Sequence, residues 1–120
     1  MASILLADDD AAVRDLVRRA LTQEGHAVHV TQDGAEALEH LTANASAIDL
    51  LVTDVNMPQL NGLELVAKAV AVKPGLRVVL MSGFADQLDA AKALAPARIT
   101  AILKPFTLDQ IKQAVRALLA

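Results

Sequence analysis

The chain has 120 residues, which fits one domain spanning 1–120, and its hydrophobic fraction of 54% is ample for a buried core. Its net charge of −3 gives no electrostatic reason for direct nucleic-acid binding, and it contains no apolar run long enough to cross a membrane. It has no cysteine, which excludes disulfides and thiolate metal sites and indicates a reducing, cytoplasmic setting.

Apolar runs alternate with helical patterns along the whole chain. The runs predict five strands, at Ile4–Ala7, Ala27–Val30, Ile48–Thr53, Leu76–Met81 and Ile99–Leu103. Four runs are almost continuously apolar, as in strands covered on both faces, whereas the second is interrupted by His29 and is predicted as an edge strand.

A helix is predicted after each strand. The first has a core-facing set of apolar residues at helical spacing, which comprises Val13, Leu16, Val17, Ala20 and Leu21. The second begins at Asp33, with Glu36 at the capping-box position, and the third ends at Pro74-Gly75. The fourth is weaker, spans Gln87–Ala95 and ends at Pro96, and the fifth opens with a capping box of Thr107 and Gln110.

This alternation predicts an α/β fold of the (βα)5 type, a doubly wound parallel sheet with helices on both faces. We expect the flavodoxin-like strand order 2-1-3-4-5, in which the first and third strands are neighbours. Ligands of such sheets bind outside the carboxyl ends of the strands, where the strand order reverses. The residues that follow the strands are therefore the candidates for function.

Polar groups stand at four of these strand ends. Asp8 and Asp9 follow the first strand, Asp54 the third, Ser82 the fourth and Lys104 the fifth. Clustered carboxylates need a compensating cation, and hard oxygen ligands suit Mg²⁺. A metal ion and a lysine together favour phosphoryl transfer, in which a carboxylate can act as nucleophile and form an acyl phosphate. Asp54 is the natural candidate, with Asp8 and Asp9 on the metal and Ser82 and Lys104 on the phosphoryl oxygens.

Four motifs in this order resemble the receiver domain of bacterial two-component response regulators, the CheY-like family. They are Asp8-Asp9, the run Thr53-Asp54-Val55-Asn56-Met57-Pro58 with Asn61-Gly62, Ser82-Gly83, and Lys104-Pro105-Phe106. The resemblance covers the whole chain. It implies that Asp54 accepts a phosphoryl group from the phosphohistidine of a sensor histidine kinase or phosphotransfer protein. It also implies a Mg²⁺ ion held by Asp8, Asp9, Asp54 and the backbone carbonyl of Asn56.

The resemblance further implies that Ser82 and Lys104 contact the phosphoryl oxygens and that the peptide bond before Pro105 is cis. Such a domain is not an enzyme in the usual sense, since it catalyses only its own phosphorylation and dephosphorylation. It signals by binding an output protein, here unknown, through the face formed by the fourth helix, fifth strand and fifth helix. We expect a monomer or weak dimer with no direct contact to nucleic acid or membrane.

Three departures from the family pattern concern this signalling face. Ala101 stands where the family often has Tyr or Phe, so the usual aromatic switch is absent. Pro96-Ala97-Arg98 replaces the small residues that typically precede the fifth strand, which predicts an unusual exit from the fourth helix. We hypothesise that Phe84, two residues after Ser82, takes over part of the switching role.

Several other interpretations compete. The same site would serve a stand-alone switch, a phosphorelay shuttle or phosphate sink, or the receiver portion of a larger hybrid histidine kinase. With no domain after Ala120, we expect the stand-alone form. A phosphatase of the haloacid dehalogenase class needs a second Asp where Asn56 stands. Asp10 is interpreted as a surface or capping residue. The three histidines are predicted to be non-functional, and the arginines of the first helix to form a solvated face.

Overall fold

The computed structural model describes residues 1–93 and 98–120, in which five strands alternate with five α-helices. The strands are Ser3–Ala7 (β1), Ala27–Thr31 (β2), Leu50–Asp54 (β3), Arg77–Ser82 (β4) and Ile99–Leu103 (β5). The helices are Ala11–Gln23 (α1), Gly34–Asn44 (α2), Gly62–Val72 (α3), Ala85–Lys92 (α4) and Leu108–Leu119 (α5). Along these two ranges, every helix is too short or too polar to span a bilayer.

The strands form one parallel sheet in the order β2-β1-β3-β4-β5, which confirms the predicted fold. β1 and β3 are neighbours, with Ala7 paired to Thr53, and β4 and β5 are neighbours, with Ser82 paired to Leu103. Because all strands run the same way, their carboxyl ends lie along one edge of the sheet. This register brings the residues after β1 and β3 side by side.

The core consists of two apolar layers, one on each face of the sheet. Alternate residues of a strand point to opposite faces, so Leu5 packs with α2 and α3 while Leu6 packs with α1 and α5. Both leucines are fully buried. Burial of such a side chain is worth about 1.5–3 kcal/mol, so these layers fix the sheet and hence the positions of its strand ends.

Side-chain caps fix the starts of α1, α2 and α5. The carboxylate of Asp10 accepts the backbone N–H of Ala12 at 2.9 Å, which confirms its capping role at α1. At α2 only half of the expected box forms among the described residues: Asp33 accepts the N–H of Glu36 at 2.8 Å, with no bond in return. The capping box predicted for α5 is present.

Two expectations about helix faces and ends need correction. Leu16 was predicted on the core-facing side of α1 but is 50% exposed, because it lies at the edge of the buried stripe. There it lines an apolar pocket with Phe106 and Leu108. Helix α4 begins at Ala85, two residues before the predicted start. Its predicted end at Ala95 and Pro96 lies outside the described residues, as do the first two residues of the Pro96-Ala97-Arg98 departure.

Candidate functional site

Three carboxylates meet at the carboxyl edge of the sheet. Asp54 is the last residue of β3, while Asp8 and Asp9 follow β1. One oxygen from each lies within 4.8 Å of the other two. Asp8 is fully buried and Asp54 is 5% exposed, whereas Asp9 faces solvent. The sheet therefore brings together the three acids that the sequence singled out.

Lys104 reaches this cluster from the end of β5. Its Nζ lies 3.3 Å from Oδ2 of Asp54 and 4.0 Å from Oδ2 of Asp8. The backbone N–H of Lys104 donates to the carbonyl of Ser82 at 2.8 Å, which continues the β4–β5 pairing to the edge of the site. The peptide bond between Lys104 and Pro105 is cis, as the resemblance implied. The Lys104 ammonium thus lies within 4.0 Å of two of the three carboxylates.

The pKa values of Asp8 and Asp54 show that Lys104 does not fully compensate for the buried negative charge. Burial raises the pKa of Asp8 to about 6, although the N–H of Asp10 donates to its Oδ1 at 2.9 Å and acts in the opposite direction. Burial also raises the pKa of Asp54, and the nearby Lys104 lowers it in part. Desolvation disfavours a charged carboxylate unless a cation or a donor compensates for it. The site therefore holds less positive charge than its buried carboxylates need, and Lys104 alone does not compensate for them.

The residues fit a hard divalent cation. Oδ2 of Asp8 is buried, and within the described part of the chain no hydrogen-bond donor reaches it. A buried oxygen of this kind is costly unless a ligand satisfies it. It lies in the same cluster as oxygens of Asp9 and Asp54. An all-oxygen set of carboxylates suits Mg²⁺ better than zinc or copper.

Ser82 forms the fourth part of the site and is already engaged. Its hydroxyl donates to Oε1 of Gln87 at 2.7 Å and accepts the N–H of Phe84 at 3.0 Å. Gln87 in turn donates from Nε2 to Oδ1 of Asn56 at 3.3 Å and accepts from Nδ2 of Asn56 at 3.4 Å. Gln87 was missed in the sequence, because nothing in its spacing marks an amide five residues after a serine.

The loop after β3 is held close to Asp54 by a glycine and a helix cap. A Cβ on Gly62 would lie 2.2 Å from the backbone carbonyl oxygen of Asp54, so only glycine fits here. The N–H of Gly62 donates to the carbonyl of Val55 at 2.7 Å. Asn61 and Glu64 form a capping box at α3, which the Asn-x-x-Glu spacing could have predicted.

The remaining predicted residues lie at the rim of the site. Phe84 is 58% exposed, and Ala101 is half-buried in β5, paired with Leu80 of β4. The solvated-face interpretation of the α1 arginines needs one correction. Arg14 donates from Nη1 to the backbone carbonyl of Asp8 at 2.8 Å and so supports the loop after β1.

The other two arginines of α1, Arg18 and Arg19, pair with Asp15 on the exposed surface of the helix, as expected for a solvated face.

The three histidines lie in segments outside the acid cluster, and their contacts are with other residues. His26 accepts the N–H of Ala2 at 3.1 Å. His29 of β2 and His40 of α2 stack with ring centroids 3.8 Å apart, a contact between two elements that the sequence could not reveal.

Known proteins share both the sequence pattern and the fold. The chain is 34% identical over 118 residues to the sensor kinase CckA of Brucella abortus, covering 98% of this chain and 12% of the kinase. It is 37% identical over 114 residues to the DNA-binding transcriptional regulator NtrC of Azospirillum brasilense, covering 95% of this chain and 23% of that protein. The chain thus spans less than a quarter of either relative.

A solved structure with the same fold is that of the response regulator TrrA from Thermotoga maritima in complex with Mg²⁺ and BeF. It has a TM-score of 0.86 and 27% identity, over 98% of this chain and 99% of that chain. The sequence model described as the response regulator receiver domain matches residues 4–116. The chain therefore belongs to the response regulator receiver domain family.

Proposed function

We propose that Asp54 is the phosphoacceptor of this receiver and takes its phosphoryl group from the phosphohistidine of a sensor histidine kinase or phosphotransfer protein. The observation that carries the proposal is a nearly buried Asp54 carboxylate, 3.3 Å from Lys104 Nζ and within 4.8 Å of two further acids. In the transfer, an Asp54 oxygen bonds to phosphorus as the P–N bond breaks. The donor imidazole keeps the electron pair and takes up a proton.

Asp8, Asp9, Asp54 and the backbone carbonyl of Asn56 would hold Mg²⁺. The buried Oδ2 of Asp8, which accepts no hydrogen bond from the described residues, supports this assignment. When bound, the ion supplies positive charge to the phosphoryl oxygens. The structure of TrrA with Mg²⁺ and BeF supports the same ion here by similarity.

Lys104 and Ser82 would stabilise the transferred group. The ammonium already lies beside Asp54, where it can donate to a phosphoryl oxygen in a largely buried setting that strengthens the interaction. The Ser82 hydroxyl would donate to a second oxygen. Hydrolysis would reverse the modification, as water attacks phosphorus and the acyl phosphate P–O bond breaks to restore the carboxylate. The chain would catalyse only these two reactions on itself.

The phosphorylated domain would signal by binding an output protein through the face of α4, β5 and α5. Apolar side chains are exposed around this face: Phe84, just before α4, is 58% exposed, and Leu103 of β5 is 51% exposed. Because Ala101 cannot act as an aromatic switch, we assign part of the switching to Phe84. Its backbone N–H bonds to the Ser82 hydroxyl, which links the phenyl-bearing loop to the site.

A second candidate is the receiver portion of a larger hybrid histidine kinase, acting in a phosphorelay. The 34% identity to a sensor kinase, of which this chain spans 12%, favours this alternative. The same Asp54 chemistry would then pass phosphate onward to a histidine. Transfer to an isolated phosphotransfer protein that outpaces hydrolysis would favour the relay, and hydrolysis that outpaces transfer would favour the switch.

The phosphoacceptor assignment is tested with acetyl phosphate and Mg²⁺, followed by intact mass spectrometry. We expect one added phosphoryl group that hydroxylamine removes, that requires Mg²⁺, and that Asp54→Asn abolishes. The exposed Asp89→Asn on α4 is the charge-matched control and should be modified like the wild type. Absence of modification in the wild type, or its persistence in Asp54→Asn, would refute the assignment.

A further inference from the structure

The hydrogen bonds of Gln87 connect the candidate phosphorylation site to helix α4. Gln87 lies in the first turn of α4, and its side-chain amide bridges two residues next to Asp54. Its Oε1 accepts a hydrogen bond from the Ser82 hydroxyl at 2.7 Å and another from Nδ2 of Asn56 at 3.4 Å, and its Nε2 donates to Oδ1 of Asn56 at 3.3 Å. One amide therefore joins the end of β4, the loop after β3 and the start of α4.

The Ser82–Gln87 bond competes with any phosphoryl ligand of Ser82. A serine hydroxyl has a single proton to donate, and here that proton is directed to Gln87. Phosphoryl oxygens on Asp54 are acceptors, so Ser82 can bond to them only by donating the same proton. The Phe84 N–H already occupies one acceptor position of the hydroxyl and does not remove this conflict.

We propose that Gln87 is a latch that holds α4 in the unphosphorylated state and is released when Ser82 turns to the phosphoryl group. This inference rests on the proposed phosphoacceptor function. Gln87 acts through Ser82, so it is a positioning residue. The latch gives the domain a route from the site to α4 that does not need an aromatic residue at position 101, where this chain has alanine.

The latch has an expected energetic signature. In the bare state the Ser82–Gln87 bond opposes ligand binding, because it must break first. A neutral hydrogen bond of this kind corresponds to about a fivefold change in an equilibrium constant. Removing the acceptor should therefore tighten the binding of a phosphoryl mimic by about fivefold, instead of weakening it as loss of an ordinary supporting residue would.

The test uses the whole chain with beryllofluoride and Mg²⁺ as the probe. Gln87→Met keeps the length of the side chain and removes the acceptor, and Gln113→Met, an exposed glutamine of α5, is the matched control. We expect the apparent Kd to fall about fivefold in Gln87→Met and to stay at the wild-type value in Gln113→Met. Thermal unfolding of the bare proteins checks that both variants fold.

A double-mutant cycle with Ser82→Ala separates the latch from a general structural effect. If Gln87 acts through the hydroxyl, Gln87→Met should leave the affinity unchanged in the Ser82→Ala background. Hydrogen exchange at the α4 amides should also rise on beryllofluoride binding in the wild type and be already high in free Gln87→Met. Unchanged or weaker binding by Gln87→Met, or an equal effect in both backgrounds, would overturn the latch.

The outcome is distinguishable from failure of the proposed function. If the wild type binds no beryllofluoride and gains no phosphoryl mass, the phosphoacceptor assignment is wrong and the latch falls with it. If the wild type binds and Ser82→Ala weakens binding while Gln87→Met behaves like the wild type, the phosphoacceptor stands and the latch alone is refuted.

Discussion

Replacement of Asp54 by asparagine should stabilise the metal-free fold, because this carboxylate is held among like charges. At an effective dielectric constant of about 20, two charges at the 4.8 Å limit within which the carboxylate oxygens of this cluster lie repel by about 3.5 kcal/mol. Asp54 has two such neighbours, Asp8 and Asp9. Its attraction to Lys104 at 3.3 Å is worth about 5 kcal/mol on the same scale. The net effect is a repulsion of about 2 kcal/mol, to which burial of the charge adds.

Asparagine keeps the shape of the side chain and one acceptor oxygen, so this change isolates the charge. We expect the free energy of unfolding of Asp54→Asn in EDTA to exceed that of the wild type by about 2 kcal/mol. For a domain of this size that corresponds to a rise in Tm of roughly 6–10 °C. Urea and thermal unfolding followed by circular dichroism measure both quantities. Asp89→Asn, which removes an exposed charge on α4, should change neither.

Addition of Mg²⁺ should remove most or all of the stability advantage of Asp54→Asn, because the wild type should gain more from the ion than the variant does. A ligand at one hundred times its Kd stabilises the folded state by about 2.7 kcal/mol, which exceeds the advantage of the metal-free variant. The variant lacks one carboxylate ligand and should gain less. A variant less stable than the wild type in EDTA would refute the charge argument. A stability difference independent of Mg²⁺ would refute the assignment of Asp54 to the metal site.

Three further predictions concern the surroundings of the site. Gly62→Ala should destabilise the fold by about 1–3 kcal/mol in urea unfolding, because its Cβ would lie 2.2 Å from a β3 carbonyl oxygen, whereas Gly83→Ala, with open space around its Cβ, should not. Burial, and then the stacked His29, lower the pKa of His40 from 6.5, so protonation of His40 reduces the stability of the folded state as pH falls through that value. The free energy of unfolding of His40→Gln relative to the wild type should therefore increase below about pH 6.5. A difference that does not depend on pH would contradict this. Phe84→Ala should reduce the amide chemical-shift changes of α4 and β5 on beryllofluoride binding, and undiminished changes would remove Phe84 from the switch.

The strand-end pattern was sufficient to predict both the fold and the acid cluster. Nearly continuous apolar runs mark strands covered on both faces, and parallel strands necessarily align their carboxyl ends. Residues as distant in sequence as Asp8 and Lys104 could therefore be placed together before any coordinates. The capping roles of Asp10 and Thr107 were predictable for a similar reason, since a cap depends only on residues within one helical turn.

Features that depend on how two elements pack could not be predicted. Periodicity defines the centre of a buried helical stripe better than its edges, so Leu16 was assigned to the core although it is half-exposed. The stacking of His29 on His40 depends on the placement of α2 over β2, which neither segment encodes alone. Gln87 lies in the first turn of α4, and its contact with Ser82 depends on how this turn packs against the end of β4. The burial of Asp8 Oδ2 without a hydrogen-bond donor among residues 1–93 and 98–120 likewise depends on three-dimensional packing.

The hydrogen bonds of a single amide can supply only a limited coupling free energy between phosphorylation and α4. If phosphorylation changes the position of α4 only by breaking the Ser82–Gln87 bond, the coupling free energy cannot exceed the net value of that bond, about 1 kcal/mol. The population of released α4 would then change by about fivefold, far from the roughly 10⁴-fold bias that a complete two-state transition requires. The two Asn56–Gln87 bonds can enlarge the coupling if the Asn56 side chain also moves, because the same amide would then lose all three contacts. An output protein that selects the released helix would supply the rest. Because the coupling is reciprocal, we expect phosphorylation and partner binding to strengthen each other by only about fivefold if the Ser82–Gln87 bond alone breaks, and by more only if the Asn56–Gln87 bonds break as well.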